Sequence, residues 1–254
     1  RYFLLREMRF GSDASFSEEA LVGRLNADLA NDLGNLFSRV LSMCAKYFGS
    51  TVPTPGPLAE EDQALMGLGR TSLENFLALF PRCRFSMALE ALWELVRGLN
   101  KYVDESAPWA LAKAGDTARL GTVMYVLLEW MRKVAAALWP VMPGASEAMY
   151  GQLGLALSGP GLDLAAEAAA WGGLKPGAAL AAASNLFPRL EVGGAAQGTK
   201  ADAPAASAKA AKPAKADKPA KADKSHKSLG AVREETRQIA AAGTAAGASK
   251  QQLL

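Results

Sequence analysis

Apolar residues recur every three to four positions through much of the first 153 residues, which is the spacing of helices that bury one face. The longest such stretch runs from about Phe16 to Phe48. Its apolar positions are Leu21, Leu25, Leu29, Leu33, Leu36, Val40 and Cys44. Ser15 followed by Glu18 fits a capping box at its start. We therefore predict one long amphipathic α-helix over this stretch.

A strip of polar residues follows one edge of that apolar face. Its members are Arg24, Asp28, Asn31, Asn35 and Arg39. Asn35 and Arg39 are one helical turn apart, so their side chains point the same way. Such a strip is most often a solvated surface beside a buried face. The alternative is a donor-rich surface that reads a molecule lying in a groove, and the helix pattern alone favours the solvated surface.

Further periodic stretches predict helices at about 59–79, 84–103, 117–139 and 143–153, with a short helix that opens at Pro108. Prolines and glycines separate them, most densely at 49–57, and residues 104–108 read as a loop. No stretch has the alternating pattern of a strand. We therefore predict an all-α fold, an antiparallel helix bundle with short connections.

Trp109 stands apart from the other tryptophans. It follows Pro108 directly after a polar segment, where no periodic apolar stripe continues, whereas Trp93, Trp130 and Trp139 fall on predicted buried faces. Single-stranded RNA bases commonly stack on exposed aromatic side chains. The competing interpretation is a tryptophan that anchors the loop to the bundle, and the residues by themselves leave both open. In either case Pro108 restricts the backbone that presents the indole.

The composition excludes several classes of site. The 254 residues include two cysteines, Cys44 and Cys83, and one histidine, His226, so a metal site or a His-dependent catalytic triad is not expected. Residues 195–254 hold 11 Lys and Arg against 5 Asp and Glu, while the other 194 residues hold 17 against 20. The helical part is therefore not broadly basic, and an RNA ligand would need a local site.

Two segments carry a family resemblance. Asn26 to Arg39, NADLANDLGNLFSR, followed by Asn100 to Lys113, NKYVDESAPWALAK, resembles the anticodon-binding domain of bacterial methionyl-tRNA synthetases. By position, the resemblance implies that Asn35, Arg39, Pro108 and Trp109 meet the anticodon of tRNA(Met), with Asn35 and Arg39 at the first base, a cytosine. It extends from Arg1 to about Val192, and the Ala-Lys-Pro repeats beyond lie outside it.

The resemblance implies a C-terminal part of methionine–tRNA ligase, a cytoplasmic enzyme that activates methionine with ATP and attaches it to tRNA(Met). The family's catalytic signature motifs are absent from this sequence, so we expect no catalytic residues and no activity in this segment. ATP with Mg²⁺ would belong to the catalytic half, and zinc in that half is left open. Partners would be tRNA(Met) and the catalytic half, with a homodimer only where a further C-terminal domain follows.

The resemblance and the composition together predict four regions. Residues 1–16 end the connection to the catalytic half, 17–153 form the anticodon-binding bundle, and 154–192 form a peptide that folds back. Residues 193–254 form a disordered basic tail, because they lack the apolar residues for a core. Two other functions stay open: the anticodon-binding domain of another class I synthetase, and a helical adaptor with a large exposed apolar patch.

Overall fold

The computed structural model describes residues 1–9, 11–13, 15–157 and 161–191. These residues form nine α-helices, which we number in chain order: α1 Tyr2–Glu7, α2 Glu18–Arg24, α3 Asn35–Phe48, α4 Glu60–Leu79, α5 Phe85–Ser106, α6 Pro108–Ala114, α7 Thr117–Leu138, α8 Pro143–Gln152 and α9 Leu164–Ala169. They contain no strand, only an isolated antiparallel bridge between Thr51 and Ala179. The predicted all-α bundle is confirmed. The predicted disordered tail lies outside the described residues.

The long first helix differs from the prediction in its middle. Between α2 and α3 the chain forms a π-helix, Leu25–Gly34, and the N–H of Asn35 donates to the carbonyl of Ala30, five residues back. A π-helical turn holds more residues than an α-helical turn, so the side chains that follow it point in other directions than in a continuous α-helix. The start also differs, because Ser17 rather than Ser15 caps α2 by accepting from the N–H of Ala20.

The core is organised around α7. Every residue from Leu120 to Leu138 is buried, as expected for a helix surrounded by others. α4 and α5 share the most extensive helix–helix contact of the described residues, and both also pack on α7. Trp93 and Trp130 are buried as predicted, whereas Trp139 is only half-buried.

A glycine in α4 allows that close packing. α4 contains Gly67 and Gly69, and glycine is unfavourable in the interior of a helix. The helix is nevertheless continuous from Glu60 to Leu79. A Cβ added at Gly69 would lie 2.3 Å from the ring of Trp130, which is far inside contact distance. The absence of a side chain at Gly69 therefore lets α7 place a buried tryptophan directly against the α4 backbone.

The predicted loop before Trp109 is much shorter than residues 104–108. α5 continues to Ser106, so Asp104 lies in its last turn, and α6 begins at Pro108. The connection is the single residue Ala107, with φ 42° and ψ 65°. This left-handed conformation turns the chain sharply between the two helices.

A buried carboxylate attaches the C-terminal segment to α7. Glu129 is fully buried and accepts the backbone N–H groups of Gly172, Gly173 and Leu174 at 3.0, 2.9 and 3.1 Å. It also pairs with Arg132 at 2.7 Å. Burial by itself would raise the pKa of Glu129, but Arg132 and the backbone donors outweigh burial and hold that pKa below its ordinary value of 4.5. The segment is thus bonded to an ionised group.

Candidate nucleic-acid interface

A polar groove of about 420 Å³ lies between the π-helix–α3 junction and residues 183–189 of the C-terminal segment. Its polar lining residues are Asn31, Asn35, Ser38, Ser184, Asn185 and Arg189. One of the four predicted site residues, Asn35, therefore lines it. Amide, hydroxyl and guanidinium groups supply both donors and acceptors, the chemistry that can recognise base edges and phosphates.

Paired hydrogen bonds hold the two walls of the groove together. The Asn26 side chain donates to the carbonyl of Leu190 at 2.8 Å and accepts the N–H of Leu190 at 2.9 Å. Arg189 donates to the side-chain oxygen of Asn31 at 2.6 Å. At the floor, a Cβ on Gly34 would lie 3.3 Å from the ring of Phe187 and 2.8 Å from the carbonyl of Leu29. Glycine there lets the π-helix end close against the segment.

Arg39 connects α3 to the end of α5. Its guanidinium Nη1 lies 3.3 Å from a carboxylate oxygen of Asp104, and both side chains are substantially exposed. Arg39 is one turn beyond Asn35, and Asp104 is in the last turn before the connection that presents Trp109. The ion pair therefore joins the two segments that the sequence singles out, although they are far apart along the chain.

Trp109 is open to solvent. Its side chain lies in the first turn of α6 and is 48% exposed, while the preceding Pro108 is buried. The carbonyl of Ala107 accepts the N–H of Ala110 at 2.8 Å, which fixes this first turn. An inward proline followed by an outward indole provides the free ring face that stacking on a base requires.

The four predicted site residues do not all line one cavity. Asn35 lines the polar groove, whereas Arg39, Pro108 and Trp109 do not. The contact between Arg39 and Asp104 brings the remaining three towards the same end of the bundle. Asn185 and Arg189 were missed as groove residues, because the C-terminal segment has no periodic pattern that places its side chains.

The prediction that Asp28 belongs to a solvent-exposed polar strip is wrong. It is buried, not solvated, and it accepts from the Tyr2 hydroxyl at 2.6 Å and from Arg6 at 3.2 Å. Burial and the adjacent Asp28 carboxylate both raise the pKa of Tyr2. α1 is thereby attached to the π-helix, and Asp28 serves to hold these elements together.

A second buried carboxylate supports the end of the bundle that carries Trp109. Asp62 of α4 accepts the Tyr102 hydroxyl, the N–H of Ala59 at 2.8 Å and Arg119 Nη2 at 2.9 Å. Burial would raise the pKa of Asp62, but the bonds from Arg119, Tyr102 and Ala59 outweigh burial and lower it. This network joins α4, the last turns of α5 and the first turn of α7, which flank the α5–α6 connection.

Within the described ranges, no group of three or more His, Cys, Asp or Glu side chains is arranged to hold a metal ion. Nor is any helix in that part of the chain long and apolar enough to cross a membrane.

The chain is similar in sequence to known proteins of one family. Residues 52–197 match the model of the anticodon binding domain of methionyl tRNA ligase, and residues 1–41 match that of the class I tRNA synthetases for methionine. A methionine–tRNA ligase of Caldanaerobacter subterraneus subsp. tengcongensis is 42% identical over 194 residues, which are 76% of this chain and 30% of that relative. A Mycobacterium tuberculosis counterpart is 41% identical over 75% of this chain and 36% of its own length.

Solved structures extend the comparison to the fold. The free form of Mycobacterium tuberculosis methionyl-tRNA synthetase has a TM-score of 0.69 and 41% identity, over 75% of this chain and 38% of that one. The same enzyme has been solved with methionyl-adenylate, and that structure has a TM-score of 0.68. This chain spans about a third of the length of these relatives. The chain therefore belongs to the methionyl-tRNA ligase family and contains that family's anticodon-binding domain.

Proposed function

We propose that this chain recognises the anticodon of tRNA(Met) through Asn35, Arg39, Pro108 and Trp109. The observation that carries the proposal is the ion pair of Arg39 with Asp104, in the helical turn that leads to the exposed Trp109. A planar donor group and an open aromatic face are thus presented at one end of the bundle. Unpaired RNA bases are read by that combination of edge hydrogen bonds and stacking.

Each residue has a distinct part in the proposed mechanism. Trp109 stacks on an anticodon base, while the buried Pro108 fixes the direction of the indole. Arg39 donates to the edge of the first anticodon base, a cytosine, which presents acceptors on its Watson–Crick edge. Asn35 can both donate and accept, so it can complete the recognition of that edge from the groove.

We further propose that this recognition serves methionine–tRNA ligase, which activates methionine with ATP and transfers it to tRNA(Met) in the cytoplasm. ATP with Mg²⁺ would act in the catalytic half. In this scheme residues 1–16 connect to that half, 17–153 form the anticodon-binding bundle and 154–192 form the C-terminal peptide. Residues 193–254 are a basic tail that attracts phosphates without sequence preference.

The role of Trp109 can be tested by titrating the chain with labelled anticodon stem-loops. Trp109→Ala should weaken binding by roughly 1–3 kcal/mol, because that is the value of stacking on one base. The loss should be similar for the methionine stem-loop and for variants with another first base, since every base has a stacking face. Phe16→Ala, which removes another exposed aromatic ring, is the control and should bind as the wild type does. Unchanged binding by Trp109→Ala would remove Trp109 from the interface.

A further inference from the structure

A second cavity, of about 410 Å³, lies between α4, α7 and α9 and shares no lining residue with the polar groove. Leu73 and Leu77 of α4, Trp130 of α7 and Trp171 form its apolar walls. The rings of Trp130 and Trp171 meet edge to face at a centroid distance of 5.2 Å. The volume lies within the range of small-molecule sites.

On the α9 side, only small side chains line the cavity. α9 has no buried residue, and it contributes only Ala165, Ala168 and Ala169 to the lining. The helix is nevertheless attached firmly, since Lys133 donates to the carbonyls of Glu167 at 2.9 Å and Ala168 at 2.7 Å and also to that of Ala170.

The attachment also determines which charges are available to a ligand. Lys133 lines the cavity, but its ammonium donates to three carbonyls and so has no hydrogen left for another acceptor. Burial, with a smaller contribution from Arg132, lowers the pKa of Lys133 to about 8. The charges that remain at the cavity are therefore those of α4.

Arg70 and Glu74 of α4 line the cavity, and both are exposed. Within the described part of the chain, neither side chain is engaged in an ion pair or hydrogen bond. They are one helical turn apart, which places their Cβ atoms roughly 5–6 Å from each other. One positive and one negative group thus stand side by side next to a pocket walled by tryptophan and leucine.

We propose that this cavity binds a free α-amino acid with a large apolar side chain. Its carboxylate would pair with Arg70 and its ammonium with Glu74, because an amino acid carries both charges on one carbon. The side chain would lie against Trp130 and Trp171. A simple anion would be repelled by Glu74 and a simple cation by Arg70, so the zwitterion matches the charge pattern best. The ligand would lie between α7 and α9 and would add contacts that hold the C-terminal segment.

The test is calorimetric titration of the 254-residue chain with L-phenylalanine as the probe. L-phenylalaninamide lacks the carboxylate and N-acetyl-L-phenylalanine lacks the ammonium, so each should bind about tenfold more weakly, as expected for the loss of a hydrogen bond to a charged group. Glycine keeps both charges but has no side chain, and it should show no saturable binding.

Two variants assign the charges. Arg70→Gln should bind phenylalanine about tenfold more weakly and no longer distinguish it from its amide. Glu74→Gln should lose the distinction from the N-acetyl compound. Arg82→Gln, an exposed arginine just beyond α4, is the matched control and should leave every affinity unchanged. The proposal is overturned if phenylalanine shows no saturable binding, if all three aromatic probes bind equally, or if neither variant changes the order of affinities.

Discussion

Replacing Glu129 with glutamine should weaken the attachment of residues 172–174 to α7. The carboxylate has two oxygens, which accept three backbone N–H groups and two N–H groups of the Arg132 guanidinium at 2.7–3.2 Å. The amide of glutamine has one acceptor oxygen, and its NH₂ group must face a donor. At least one bond to a charged group is lost, worth about 1.5–3 kcal/mol.

The loss of charge also removes one of the two carboxylates that pair with Arg132. Removing one member of a buried ion pair costs about 3–5 kcal/mol, which sets the expected loss for Glu129→Gln. Arg132 keeps a contact with Glu167, and that contact places the expected value towards the lower end of the range. The segment can also detach locally, so the loss in global stability cannot exceed the free energy with which it docks.

Urea denaturation measures the loss in global stability, and native-state hydrogen exchange measures the local detachment of the segment. The amides of Gly172, Gly173 and Leu174 should exchange much faster in Glu129→Gln. Glu147→Gln, an exposed glutamate of α8, should change stability by less than about 0.5 kcal/mol. If Glu129→Gln keeps these amides protected and its stability within the same limit, the carboxylate does not hold the segment.

The ionised carboxylate of Glu129 also predicts that the stability of the fold depends on pH. The pKa of Glu129 is lower in the folded chain than its ordinary value of 4.5, so its ionised form favours folding. This stabilisation is fully present above that ordinary value and is lost as the pH falls from it through the folded pKa. The Gln variant should lack this part of the acid dependence, and a wild-type-like acid profile in the variant would contradict the assignment.

Three further changes should give distinct results. Asp62→Asn should lower the free energy of unfolding by about 1.5–3 kcal/mol, since it weakens a hydrogen bond from Arg119 to a charged group. Gly69→Ala should lower it by about 1–3 kcal/mol, because the new methyl group meets the Trp130 ring. Removing residues 195–254 should reduce the salt dependence of stem-loop binding and leave the base preference intact, because lysines meet phosphates.

Urea denaturation tests the first two changes, with Glu60→Gln and Gly67→Ala on the same helix as matched controls. A Cβ at Gly67 meets no atom within 4 Å, so that variant should not destabilise the fold. Equal stability of the Gly69 and Gly67 variants would show that α7 can move away from α4. The truncation is tested by titrating it with stem-loops at two salt concentrations. If the truncated chain loses its base preference, residues 195–254 take part in recognising the anticodon.

The helices were predictable because a buried helix face requires apolar residues every three to four positions, a pattern that is visible in the local sequence. The apolar spacing located α4, α5, α7 and α8 to within a few residues. The π-helix was not predicted, because the apolar spacing of Leu25–Gly34 also fits a regular α-helix. The burial of Asp28 was missed because its partners Tyr2 and Arg6 lie in a separate helix.

The candidate site was predictable only in part. Asn35 and Arg39 could be placed on one face by spacing, and Trp109 was noticeable as an aromatic residue outside any apolar stripe. The pairing of Arg39 with Asp104 is a contact between residues far apart in sequence, which no local pattern records. The second wall of the groove is irregular backbone attached by the side chains of Asn26 and Asn31, and it carries no periodic signal.

The most direct test of anticodon reading is a double-mutant cycle between Arg39 and the first anticodon base. Stem-loops with cytosine or uridine at that position are titrated against the wild-type chain and against Arg39→Ala. The wild type should favour cytosine by about 1–3 kcal/mol, the value of a well-placed bidentate contact. In Arg39→Ala that preference should fall below about 0.5 kcal/mol, which is the deviation expected even when two changes act independently. If Arg39→Ala keeps the full preference for cytosine, Arg39 does not read the base and only pairs with Asp104.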